Sequence, residues 1–279
     1  MSEPQEYMFK YSDEEVRRLV VQSVFWSDFT EDLLRKAGLS AGMHVLDVGS
    51  GVGDVAMIAA RLVGETGSVR GIDRSPDSLA VARRRAASAG LTNVVFEQAE
   101  IDSYETADRF NAIIGRFILI HLPDAASTLR RLSGLLAPFG LVVFQEPEIA
   151  GVKMEPASAL STSVCNWFNQ VFERAGLDIK FGARLPLLML EAGLPGPHSI
   201  AVQRLTAPGS PWASDYFEVS IRSILPLIER FGIATAEEVD VATLQRRVAQ
   251  DAASHGGTWH SMRMVGAWTR EQPSSIQDS

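Results

Sequence analysis

The stretch VLDVGSGVGD, residues 45–54, gathers the residues of this chain whose types and spacing can do chemistry. Apolar residues of strand character run into Gly49, Gly51 and Gly53, and Asp47 stands just before them. A turn this rich in glycine lets a ligand approach the backbone, because no Cβ stands in the way. The dinucleotide fingerprint is G-x-G-x-x-G. Here the third glycine falls one place early, and Asp54 stands where it would be. A carboxylate at Asp47 repels a pyrophosphate and suits a ligand that carries positive charge. Asp73, in GIDRSP, follows Gly49 by 24 residues; at the carboxyl end of a strand it can accept both hydroxyls of a ribose. Glu100, in FEQAEID, ends a third strand pattern beside the Ile101 backbone and can accept a hydrogen bond from an adenine amine. The plainer alternatives are a tight turn at the glycines and a solvated strand end at Glu100.

A proton-transfer role needs a titratable group near the reacting atoms. His121 in ILIHLPD and Gln145, Glu146 and Glu148 in FQEPE fall at the carboxyl ends of the fourth and fifth strand patterns. Burial after an apolar strand would raise the pKa of Glu146. His121 has the alternative of starting the next helix, and Glu146 that of a structural carboxylate.

These groups need elements to hold them. Residues from Asp13 to Gly38 carry apolar positions at helical spacing, including Val16, Leu19, Val20 and Val24. HVLDVGS, SVRGID, NVVFEQAE, FNAIIGRF and LVVFQEPE read as five strands alternating with helices, which predicts a doubly wound, mostly parallel α/β sheet. Ala-Pro-Phe-Gly reads as a turn before the fifth strand. Beyond residue 150 the rhythm changes. Two helical segments precede SIAVQRLTA, two more run from Trp212 to Arg230 and from Ala236 to Ser254, and TWHSMRMVGAWTR closes as a strand. The count is seven strands, the last two a late pair interrupted by a helical insertion placed to act as a lid. The segments expected are a helical cover over 1–40, a ligand-binding core over 41–150, further core strands with the lid over 151–270, and a flexible tail over 271–279.

As a set, VLDVGSGVGD, GIDRSP, FEQAEID, FNAIIGRFILIHLPD and LLAPFGLVVFQEPE resemble the class I S-adenosylmethionine-dependent methyltransferases, over residues 40–150. The resemblance implies a Rossmann-like sheet and S-adenosylmethionine as cofactor. Position by position, it implies that Gly49, Ser50, Gly51 and Gly53 cradle the methionine part and that Asp47 helps hold its amino end. It places Asp73 on the ribose, Arg74 flanking the adenine, and Glu100 and Ile101 at the adenine amine. Glu100 stands where the family more often has aspartate. Arg116 falls at the methionine end, with a structural ion pair as its alternative. Gln22 and Trp26 lie in the helix that folds over the cofactor in similar enzymes. The implied reaction is in-line transfer of a methyl group to a small molecule of secondary-metabolite, quinone or isoprenoid type. Glu146 and His121 are the candidate bases. The rival readings are a protein that binds S-adenosylmethionine without transferring methyl and, further off, a nicotinamide-dependent oxidoreductase.

Composition bounds the partners. The chain has 279 residues, 46% hydrophobic and 22% charged, with formal net charge -8. An acidic balance argues against a nucleic-acid partner; Arg83 to Arg85 form the one dense basic run and read as a solvated helix face. No apolar run suits a membrane span. The N-terminus does not read as a signal peptide, and the lone Cys165 suits a reducing cytoplasm. His255 and His260 lack partners at metal-ligand spacing, so no metal is expected. Aromatics of the second half, Trp167, Phe168, Phe172, Trp212, Tyr216, Phe217 and Trp259, suit a core or an apolar acceptor pocket. Arg184, Arg204, Arg222 and His260 would favour an anionic acceptor if they converged. Length and apolar fraction allow a homodimer.

Overall fold

The computed structural model describes residues 13–208 and 211–270. The expected tail over 271–279 and the side chains of Val16 and Trp212 lie outside the described residues. The elements run α1 (Asp13–Ala37), β1 (His44–Val48), α2 (Asp54–Val63), β2 (Ser68–Asp73), α3 (Pro76–Ser88), β3 (Val94–Gln98), β4 (Phe110–Arg116), α4 (Ala125–Ser133) and β5 (Leu136–Glu148). They continue with β6 (Lys153–Glu155), α5 (Ala159–Arg174), α6 (Phe181–Glu191), β7 (His198–Thr206), α7 (Pro211–Arg230), α8 (Ala236–Val239), α9 (Val241–His255) and β8 (Thr258–Arg270). The strands form one sheet in the order β3-β2-β1-β4-β5-β8-β6, with β7 paired to β8. β3 through β5 are parallel in this order, and β6 is antiparallel to β8.

Three details differ from the sequence reading. The sheet has 8 strands rather than seven; β6, of 3 residues, is too short to show a period. Ala137 to Gly140 is a bulge within β5 rather than a turn before it: Phe110 pairs Leu136 while Ala112 pairs Leu141, and Phe139 adopts a φ of 63. The expected single helix from Ala236 breaks into α8 and α9 at Asp240, whose φ of 40 is left-handed. Thr243 Oγ1 donates to the Asp240 carboxylate, and so starts the second helix with a local hydrogen bond.

The chain divides into two compact units. The sheet unit comprises Ser27–Glu146, Arg184–Ile200 and the described residues from Val265. Its core packs α2 on β1 and β2, and α3 on β2 and β3. α2 buries Val55 to Ala60 and Val63, because apolar residues surround it on nearly every side. Ser75 caps α3 by accepting the Ser78 N–H at 3.1 Å, with Pro76 at the first helical position. Asp124 caps α4 in the same way, accepting the Ser127 N–H at 2.9 Å. Between β1 and β4 the strand order reverses; in open α/β sheets the carboxyl ends beside such a reversal form the ligand crevice.

The helical unit comprises the described residues up to Trp26, Pro147–Ala183 and Ala201–Met264. In it α5, α7 and α9 pack on one another, and β6 pairs with β8 with Met154 opposite Trp259. Ser158 opens α5 with a capping box to Ser161. Among the described residues no helix is long and apolar enough to cross a membrane.

Candidate functional site

The glycine loop sits between β1 and α2. Gly49, Gly51 and Gly53 all have positive φ, at 68, 52 and 86. They do different work. A Cβ on Gly49 would come 2.6 Å from the Ile118 side chain, and one on Gly53 2.9 Å from Phe96. A Cβ on Gly51 would meet nothing within 4 Å, so this glycine fronts open space. Asp73 ties the loop to the end of β2: its Oδ2 accepts the Gly51 N–H at 2.8 Å and its Oδ1 the Ser75 N–H at 2.9 Å. Burial pushes the Asp73 pKa up, and those two N–H groups pull it down. Arg74 and Glu100 are exposed next to it, and Ile101 is buried; the charge on Glu100 adds to the rise at Asp73.

Behind the loop Asp47 is buried, with relative exposure of 1%. Its carboxyl accepts the Ala56 N–H, while Oδ2 has no hydrogen-bond partner among the described residues. Burial pushes its pKa up to about 8 against the pull of Arg116. Ser50 Oγ is likewise buried without a partner among the described residues. Buried polar atoms rarely lack partners, so two at one glycine loop mark a place that a polar ligand completes.

At the end of β4, Arg116 is 6% exposed and reaches Asp54 Oδ2 at 3.8 Å; Asp54 also pairs with Arg85 at 2.6 Å. Arg116 donates to Thr30 Oγ1 at 2.9 Å, and Thr30 donates to Gln145 Oε1 at 2.8 Å. The Gln145 Nε2 is buried with no partner among the described residues. Sequence reasoning did not single out Thr30 or Asp54. Asp54 had a signal, since it occupies the third-glycine place; Thr30 had none, because its partner lies 115 residues away. Arg83 and Arg85 are less solvated than expected: each donates to a main-chain carbonyl at 2.7 Å, on Phe96 and Val52.

Glu146 is fully buried, and its carboxylate accepts the N–H groups of Ile118, Leu119 and Ile120 at 3.0, 2.8 and 3.4 Å. Burial pushes its pKa up to about 8, and the three amides pull it down. These amides follow Phe117, a non-glycine residue with φ of 57 that its surroundings must hold in place. His121 closes the same short turn, Leu119–His121, while Asp124 rather than His121 caps α4. Glu148 belongs to the helical unit and is clasped by Arg263.

Other expected residues sit elsewhere. Gln22 and Trp26 belong to the helical unit. Gln22 accepts from Arg18 at 3.3 Å, and Trp26 packs edge-on to Phe25. Arg184 belongs to the sheet unit; Arg222 pairs with Glu218 at 2.6 Å, and Arg204 lies over the Phe25 ring. Phe168, Tyr216, Phe217 and Trp259 line a pocket inside the helical unit; Trp167 and Phe172 do not line it. Burial pushes the Cys165 thiol up to about 11. Among the described residues no group of three or more His, Cys, Asp or Glu is placed to hold a metal ion.

A family model described as a methyltransferase domain matches residues 39–185. Methyltransferase GfsG of Streptomyces halstedii is 30% identical over 211 residues, 75% of this chain and 72% of that protein. The chain belongs to the class I S-adenosylmethionine-dependent methyltransferases. Aklanonic acid methyltransferase DauC of Streptomyces sp. (strain C5) is 36% identical over 108 residues, but the match spans only 49% of it. The YcgJ protein of Bacillus subtilis shares the fold with a TM-score of 0.57 at 16% identity, over 88% of this chain and 100% of that one. The [4+2]-cyclase SpnF shares it with a TM-score of 0.52 at 18% identity, over 88% and 82%. The cofactor of this methyltransferase is S-adenosylmethionine, and the residues present fit it. The unpartnered Asp47 Oδ2 and Ser50 Oγ, the open face at Gly51 and the Asp73 carboxylate offer what a cationic amine and a ribose require.

Proposed function

We propose that this methyltransferase carries a methyl group to an oxygen, nitrogen or carbon of a small, largely apolar acceptor. The single observation that carries the reading is the glycine loop, where a buried unpartnered carboxylate and hydroxyl meet an open glycine face. In this reading Gly49, Ser50, Gly51 and Gly53 shape the cradle, Asp47 takes the ammonium, and Asp73 takes the ribose hydroxyls. Arg74, Glu100 and Ile101 bound the adenine, Arg116 the carboxylate end, and Gln22 remains an expected contact from α1. Bound there, S-adenosylmethionine supplies a sulfonium methyl that the acceptor displaces in line. The protein's part is alignment and exclusion of water.

Within this reading Glu146 positions rather than accepts a proton from the acceptor. Its oxygens are committed to three amides, so it holds the Phe117–His121 turn that follows Arg116. His121 stays the candidate base, for an acceptor that needs one. The names of the relatives support an acceptor from secondary metabolism or of quinone type, such as those of DauC and of the ubiquinone biosynthesis O-methyltransferase of Serratia proteamaculans (strain 568).

A second reading, cofactor binding without methyl transfer, draws support from the same commitment of Glu146. Calorimetric titration with S-adenosylmethionine, S-adenosylhomocysteine and NAD tests the cofactor: micromolar binding of the first two and none of NAD is expected. Appearance of S-adenosylhomocysteine and an acceptor heavier by one methylene, read by mass spectrometry across a panel of phenols, quinones and acids, then separates transfer from binding. Binding of NAD alone would overturn both readings.

A further inference from the structure

The pocket inside the helical unit is partly open to solvent and is lined mainly by aromatic and aliphatic side chains. Its walls are rings. Phe25 stacks on Tyr216 at 4.4 Å with an interplanar angle of 14°, and the Arg204 guanidinium lies 5.1 Å over Phe25. Phe217 and Trp259 meet at 5.3 Å, tilted by 45°. Packed on one another in this way, the rings are held in place, and an aromatic partner can meet them offset-stacked or edge-to-face.

Fixed charge is missing from this lining. No Lys, Arg, Asp or Glu is among the described lining residues, and of the four residues expected to favour an anion His260 alone lines the pocket. The arginines expected to gather for an anion are used elsewhere, Arg204 on a ring and Arg222 on Glu218. An anion buried here would lose its hydration with nothing in return. Two hydroxyls of the lining are also committed: Ser220 Oγ donates to the Tyr216 carbonyl at 2.6 Å, and Ser261 Oγ to the Met262 carbonyl at 2.7 Å. The Trp259 Nε1 differs. Trp259 is 8% exposed, and this N–H is buried with no partner among the described residues. A buried indole N–H ordinarily finds an acceptor.

Resting on the methyl-transfer reading, we propose that the acceptor is uncharged and ring-bearing, that it stacks in this pocket, and that one of its oxygens accepts the Trp259 N–H. With His260 as the one ionisable group among the described lining residues, the same walls disfavour an acceptor carrying a diphosphate.

The test uses the full chain and calorimetric titration with 2-naphthol and with geranyl diphosphate, each with and without S-adenosylhomocysteine. We expect 2-naphthol to bind at least about tenfold more tightly than the diphosphate. Ala249→Trp, at an exposed position of the rim on α9, narrows the pocket and should weaken 2-naphthol by about tenfold or more. Trp259→Phe keeps a ring and removes only the N–H; it should weaken 2-naphthol by roughly three- to tenfold, the scale of one hydrogen bond. Tighter binding of the diphosphate, or full affinity in Ala249→Trp, overturns the pocket assignment. Full affinity in a folded Trp259→Phe overturns the oxygen contact. If Trp259→Phe does not fold, Ala249→Trp still decides the pocket. S-adenosylhomocysteine titrated alone reports on the cofactor site, and methylated product by mass spectrometry on methyl transfer, so the failure of either is distinct from a failure of 2-naphthol.

Discussion

The two units bury polar chemistry in opposite ways. In the sheet unit Asp73 and Glu146 sit at strand ends, and main-chain N–H groups hold both. Asp47 and Ser50 wait there with atoms that no described residue satisfies. In the helical unit the pocket is mostly ring and aliphatic surface, with the Ser220 and Ser261 hydroxyls turned to carbonyls. A site built on main-chain amides fixes the place of a charge, and so suits one ligand of fixed structure. A site built on rings selects by shape and apolarity, and tolerates change in the ligand. That division matches an enzyme with one cofactor and an acceptor that varies among relatives.

The largest expected effect breaks the amide-built side of this comparison. Glu146→Ala leaves three N–H groups unpaired in a fully buried place. It should cost about 3–5 kcal/mol of stability by urea unfolding, the scale for leaving several buried N–H groups without an acceptor. Glu146→Gln keeps an acceptor oxygen and should cost less. Unchanged stability with lost activity would instead return Glu146 to the role of base. Next in size, Asp73→Ala should weaken S-adenosylmethionine binding by about 1.5–3 kcal/mol, the value of hydrogen bonds to a charged group. An unchanged affinity would sink the ribose assignment.

The same division explains what could be read in advance. Asp47, Gly51 and Asp73 were legible because each belongs to a short motif whose strand, turn and helix lie within 30 residues. The five core strands and their order of alternation were legible for the same reason. The break at Asp240 was not, since the apolar period continues across it while one local hydrogen bond decides the conformation. The pairing of Arg222 with Glu218 did leave a signal, the four-residue spacing on an expected helix, which the search for an anion site passed over. The pocket draws on α1, α5, β7, α7, α9 and β8 and the turns beside them, and sequence spacing carries no trace of their convergence.

A smaller effect sharpens the contrast through protons. Asp47 and Glu146 both have pKa values raised to about 8, from model-compound values of 3.8 and 4.5, chiefly by burial. Between those limits the folded chain holds protons that the unfolded chain has released. Their contribution is therefore fully present below about pH 4 and is lost as pH rises through about 8. Urea unfolding should show stability falling from pH 6 to pH 8, with a flatter profile in Asp47→Asn. A cationic amine at Asp47 favours the carboxylate, so cofactor binding at pH 7 should release up to about one proton. The binding enthalpy of the wild type will then vary with the ionisation enthalpy of the buffer, and that of Asp47→Asn will not. A profile rising from pH 6 to pH 8 and equally steep in Asp47→Asn would contradict the burial argument.

The smallest effect tests a carboxylate that carries its charge with little burial around its partner. Glu148 stands two residues past Glu146 at the end of β5, and its sequence context is nearly as apolar, yet its surroundings differ. Arg263 clasps both oxygens from β8, and the arginine side chain is 46% exposed. Water can replace most of what that arginine supplies, so the pair contributes the modest amount typical of exposed ion pairs. Glu148→Gln should cost less than about 1 kcal/mol in urea unfolding and leave cofactor affinity unchanged. The expected gap between Glu146→Ala and Glu148→Gln is therefore severalfold, although the two residues are near neighbours in sequence. Equal costs would mean that main-chain amides do not set the sheet unit apart, and the contrast drawn between the two sites would fall with them.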